Sequence, residues 1–128
     1  MKRALVLILM LAMAVATPIR PDCIYQPIES IIEMYDQVFL GETIEVNPAK
    51  ENDSRLITFS YVMKLKVLKA WKGVNTPTII LTSSMGYFSG DTYLVFAKCN
   101  IIEYCSPSKK AYEAERELRF LGKPTYVP

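Results

Sequence analysis

The sequence predicts a small, mainly β domain: a closed barrel of five short strands, with a short helix near the N-terminus and another at the C-terminus. Three observations carry this. Apolar Phe59, Tyr61, Met63, Leu65 and Val67 alternate with Thr58, Ser60, Val62, Lys64 and Lys66, the signature of a long half-buried strand. Shorter β-branched and aromatic runs, punctuated by turn residues, lie on both sides of it. Helical spacing is confined to the stretches after Pro27 and Pro107.

In chain order, Lys2 and Arg3 precede an apolar run from Ala4 to Val15 that closes on Ala14, Val15 and Ala16. This is the pattern of a signal peptide, residues 1–16, with cleavage after Ala16. The run falls short of the ~20 residues needed to span a bilayer, so no membrane span is expected after cleavage. Arg20, Pro21 and Asp22 rule out lipid attachment at Cys23. Residues 17–128 then form a single domain, expected to be secreted or periplasmic.

Prolines 18, 21 and 27 favour an extended lead-in. Ile28, Ile31, Ile32 and Tyr35 recur at i, i+3, i+4 and i+7 and predict a short amphipathic helix. Gln37 to Val46 is the first strand, with Gly41 placed for a bulge or sharp bend. Asn47 to Arg55 is a polar loop, and Asn52-Asp53-Ser54 matches a glycosylation acceptor. The alternating strand follows and runs into a turn over Asn75, Thr76 and Pro77. Thr78 to Thr82 is the third strand and Ser83 to Gly90 a loop. Asp91 to Ala97 and Ile101 to Tyr104 read as a hairpin. Ser106 as cap and Pro107 in the first turn start the final helix, which Gly122 and Pro124 end.

Composition excludes several function classes. Removing Lys2 and Arg3 from 15 basic residues brings them level with the 13 acidic ones, so no electrostatic attraction to nucleic acid is expected. The row Lys64, Lys66, Lys69 and Lys72 reads as protection of an exposed strand edge. Histidine is absent, which removes Ser-His-Asp and Cys-His catalysis and the commonest metal ligand. Three cysteines without a Cys-x-x-Cys pair make no zinc site. Glu29 with Glu33 and Glu113 with Glu117 are spaced to share helix faces, and read as solvated rather than as acid–base pairs. Gly86 and Gly90 lack the context of a phosphate loop. No enzyme activity, no metal and no cofactor are expected. Trp71 is expected to plug the barrel. The odd cysteine count leaves one bridge and one thiol among Cys23, Cys99 and Cys105.

Five segments, in order and at matching spacing, carry a resemblance over 23–122: Asp36 to Glu42, Leu68 to Gly73, Ser83 to Tyr87, Gly90 to Ala97 and Tyr104 to Ser106. The chain resembles the tissue inhibitors of metalloproteinases, and in particular their short bacterial relatives. The resemblance implies a five-stranded Greek-key barrel of the oligonucleotide/oligosaccharide-binding (OB) type. It implies inhibition of a metalloendopeptidase, in which the amine and carbonyl of an N-terminal cysteine capture the protease zinc. It also implies that Cys23 bonds Cys105; Cys99 has no counterpart in the family and is expected to be a buried, inert thiol, with pairing to another chain as the alternative.

Two departures bear on mechanism. The family's first cysteine and its partner are replaced by Pro21 and Met85, and cleavage after Ala16 would start the chain at Thr17. The partner-binding residues implied are Cys23, Ile24 and Tyr25, with Ser84, Met85 and Tyr87 on the neighbouring loop. The partner is a metalloprotease or another exported protein; the alternative is a non-inhibitory envelope or ligand-binding module. The oligomeric state is not fixed by the sequence.

Overall fold

The computed structural model describes Cys23, residues 26–49 and residues 61–128. The expected signal peptide, residues 17–22, Ile24, Tyr25, most of the polar loop after Ala49 and the first residues of the alternating run lie outside the described residues. The elements are α1 (Ile28–Met34), β1 (Gln37–Pro48), β2 (Tyr61–Lys72), β3 (Thr78–Ser83), β4 (Thr92–Ala97), β5 (Ile101–Ile102), β6 (Lys109–Lys110), a 3₁₀ turn (Ala111–Glu113) and α2 (Glu115–Leu121). The fold is mainly β, a six-stranded mixed sheet in the order β5-β3-β2-β1-β4-β6 that curls into a half-barrel. All pairings are antiparallel except β3 with β5.

Bulges produce the curl. Between β1 and β2 the register slips near Val38/Phe39, Leu40/Gly41 and Thr43/Glu45, and each slip adds bend and twist. Gly41 sits at one of them, as its sequence position predicts; a Cβ there would come within 2.7 Å of the Phe39 ring. The concave side holds one core, built on Phe39, Met63, Leu65, Val67, Leu81 and Val95. The alternation read from the sequence therefore holds, with Met63, Leu65 and Val67 fully buried and Lys64 and Lys66 exposed.

A second core lies on the other face, where Val38, Leu94 and Phe96 meet Tyr35 and Ala114, with Ile28, Ile31, Ile32, Leu118 and Leu121 from the two helices packed around them. β4 is thus covered on both faces, which accounts for its continuous apolar run. α1 begins where expected: the Pro27 carbonyl accepts from the N–H groups of Ser30 and Ile31 at 3.0 and 3.1 Å.

Several expectations are corrected. The sheet has six strands, and the fifth stops at Ile102 rather than Tyr104. The final helix starts at Glu115, not at Ser106 and Pro107. The Ser106 hydroxyl donates instead to the Phe96 carbonyl at 2.7 Å, and the Phe96 N–H donates to the Ser108 hydroxyl at 2.8 Å. These side-chain bonds compete with a helix, and the extended Lys109–Lys110 pairs with β4 at Leu94 and Tyr93. Glu113 consequently sits in the 3₁₀ turn and Glu117 in α2, so the two do not share a helix face.

The lysine row does not guard an edge, because β2 is central, between β1 and β3. Trp71 is no barrel plug: it packs on the helix side of the sheet and donates its indole N–H to the Gly122 carbonyl at 2.9 Å. Cys99 is exposed rather than buried, because it occupies the tip of the β4–β5 turn. Both turn residues, Cys99 (φ 48) and Asn100 (φ 64), adopt the left-handed conformation of a two-residue hairpin.

Candidate functional site

The segment before α1 is tied to the far end of the sheet by a disulfide between Cys23 and Cys105, with Cα atoms 5.3 Å apart across 82 positions of sequence. Cys105 is held by its neighbours. Ser106 and Ser108, 2.7 Å apart through their hydroxyls, clasp the backbone of Phe96 and fix the exit from β5 against β4. Beside the bridge lies a cleft of about 260 Å³ walled by Met34, Tyr35, Tyr104 and Pro107. It adjoins a groove of about 670 Å³ between α1 and α2, lined by Ile28, Ile31, Phe96 and Phe120, with Lys109 and Glu117 at its side.

The electrostatics of this region are local. The Tyr35 phenol is pushed up by burial and by the charge of Glu103. Burial alone would raise the Glu117 carboxyl, but the hydrogen bond from Lys109 and the charges of Lys109 and Arg116 outweigh it and hold it below the usual carboxylate range. Among the described residues no group of three His, Cys, Asp or Glu side chains could hold a metal ion. No helix among them is long and apolar enough to cross a membrane.

The structure brings together only part of the site the sequence points to. Cys23 is exposed and bonded to Cys105, as the resemblance implies. Ile24 and Tyr25 lie outside the described residues. On the Ser83–Tyr87 loop, Met85 is exposed and its N–H donates to the Ser83 hydroxyl at 3.0 Å. The Ser84 hydroxyl is buried without a hydrogen-bond partner among the described residues. Tyr87 is packed, its ring stacked on Tyr93 and its hydroxyl close to Ser108. Tyr87 therefore reaches the segment just beyond Cys105, whereas Ser84 and Met85 line neither the cleft nor the groove.

Sequence reasoning missed Tyr104 and Met34 as cleft walls, both exposed, although Tyr104 stood in one of the segments carrying the resemblance. It also missed Phe88 and Tyr112, two exposed rings flanking the ammonium of Lys110 at 5.2 and 5.9 Å. No periodicity marks these residues: Met34 ends α1 off its apolar repeat, and the others sit in turns or short irregular segments.

Fold and site together define a curled-sheet β domain whose N-terminal segment is anchored by a disulfide beside an apolar cleft. No protein-family model matches the chain, and no curated protein matches it either.

Proposed function

We propose that this chain is an exported binding module on an OB-type barrel related to the tissue inhibitors of metalloproteinases, acting as a metalloendopeptidase inhibitor. The observation that supports it most is the Cys23–Cys105 bridge. It anchors Cys23 to Cys105 at the barrel end, as an inhibitor that presents its N-terminal segment to a protease cleft would require. The barrel reading draws support from the parallel pairing of β3 with β5 and from the Lys98–Ile101 bridge, which joins the end of β4 to β5. An extracytoplasmic site agrees with a structural disulfide.

One observation favours a second reading, a non-inhibitory module that binds its partner through the same cleft. Cleavage after Ala16 leaves Thr17–Asp22 ahead of Cys23, so its amine would not be free to reach a zinc ion. Sequencing the N-terminus of the exported protein and titrating the same sample against a zinc metalloprotease separates the two. A chain that starts at Cys23 and inhibits stoichiometrically supports the inhibitor. A chain that starts at Thr17 and leaves the protease active refutes it and leaves the second reading.

A further inference from the structure

β3 is paired along its whole length on one side only. It lies antiparallel to β2 from Thr78 to Ser83, whereas β5 covers just Thr82 and Ser83 on the opposite side. The Val67 N–H donates to the Pro77 carbonyl at 2.9 Å, and this bond fixes which backbone groups face which way. Those of Ile79 and Leu81 point at β2; those of Thr78, Ile80 and Thr82 point away from it. Thr82 obeys the rule, donating its N–H to the Asn100 carbonyl at 3.0 Å. Thr78 and Ile80 face the same side with no strand opposite them among the described residues, although the Thr78 carbonyl accepts from the Thr76 hydroxyl at 2.8 Å.

This open edge borders a trough of about 580 Å³ between the turns at Gly73–Thr76 and at Asn100. The Ile80 side chain is 60% exposed there. Lys64, directly opposite Ile80 on β2, is the one charged residue lining the trough, and it has no ion-pair partner among the described residues. Unpaired N–H and C=O groups on an exposed strand are a template for another strand.

We infer that the edge Thr78–Leu81 takes up an extended, acidic peptide segment of a partner protein as an added strand. The N–H and carbonyl of Ile80 and the N–H of Thr78 supply the backbone hydrogen bonds, an apolar residue covers Ile80, and a carboxylate answers Lys64. A second copy of this chain fits less well, because its own β3 edge, Thr78–Leu81, carries no carboxylate to answer Lys64. β5 ends the docking register at Thr82. The trough shares no lining residue with the cleft at Cys23, so this edge and the inhibitor reading stand or fall separately.

The test is amide hydrogen exchange of the whole exported protein, with a capped Thr-Val-Glu-Val-Thr peptide as probe. The expected result is that Ile80 N–H exchange slows about tenfold at saturating peptide. The same peptide N-methylated at alternate residues should protect nothing. Lys64→Glu should weaken binding about threefold to tenfold. Ile80→Pro should abolish it while leaving the circular dichroism unchanged, because β2 does not use that N–H. Three outcomes overturn the proposal: no slowing at millimolar peptide, equal protection by the N-methylated peptide, or protection that rises with protein concentration alone, which would make the partner a second copy.

Discussion

The ring of Tyr87 lies face to face with that of Tyr93, centroids 4.1 Å apart and planes 14° from parallel. The stack closes over the loop between β3 and β4, because the Tyr93 hydroxyl also accepts from the N–H of Phe88 at 3.0 Å. Burial pushes the Tyr87 phenol up to about 12, partly offset by the neighbouring Ser108 hydroxyl. A phenol raised above its ordinary value of 10.0 contributes stability that is complete below that pH and is lost as pH climbs toward about 12. Ultraviolet titration should show a tyrosine component ionising near 12, and Tyr87→Phe should remove it. If all tyrosines titrate near 10 in the folded protein, the packed position of Tyr87 is wrong.

Lys109 and Glu117 pair across the groove wall with side chains 31% and 16% exposed, which sets them apart from the solvated Arg119–Glu115 pair. Glu117→Gln should cost about 1 kcal/mol at neutral pH, and Glu115→Gln about half of that or less. The depressed Glu117 carboxyl contributes stability that is present above its ordinary 4.5 and disappears as the pH falls through its lower folded value. Denaturant melts of wild type and Glu117→Gln should therefore converge in acid. A gap that persists at pH 2 would mean that packing, not charge, underlies the loss.

The bridge closes a long loop, so Cys105→Ser should lower stability by about 2–4 kcal/mol. Non-reducing peptide mapping should recover Cys23 linked to Cys105 and alkylate Cys99 alone. A peptide linking Cys99 to either of the others would refute the pairing.

Gly73 and Gly90 both have positive φ, +67 and +89, yet they predict different costs. A Cβ at Gly73 would overlap the Asp36 carbonyl oxygen, whereas one at Gly90 meets nothing within 4 Å. Gly90→Ala should cost about 1 kcal/mol from backbone strain, and Gly73→Ala about 3 kcal/mol or more. Equal losses in urea melts would show that the close approach at Asp36 is relieved by a small shift.

What was legible in the sequence is what period and local chemistry encode. Met63, Leu65 and Val67 announced their face, Ile28, Ile31 and Ile32 announced a helix, and Gly41 marked a bulge. The rest depends on partners distant in sequence. Ser106 and Pro107 form a good helix start in isolation, but the Phe96 backbone claims both serines. Trp71 reads as a core residue, and only the arrival of Gly122 places it on the helix side. Lys64 and Lys66 look alike on an edge strand and on a central one, because the lysine pattern reports exposure of a face and not the number of neighbouring strands. Of the site, the resemblance supplied Cys23 and Cys105, while the cleft walls come from the end of α1 and the β5–β6 connection, which no spacing links.

The tip of the β4–β5 turn carries the one free thiol among the described residues, at Cys99, since the bridge occupies the other two cysteines. The protein thus comes with a built-in attachment point for a maleimide dye or a nitroxide, without mutagenesis. The adjacent Asn100 lines the trough at the β3 edge, so a reporter coupled there would sense an added strand directly through its own emission or spectral linewidth.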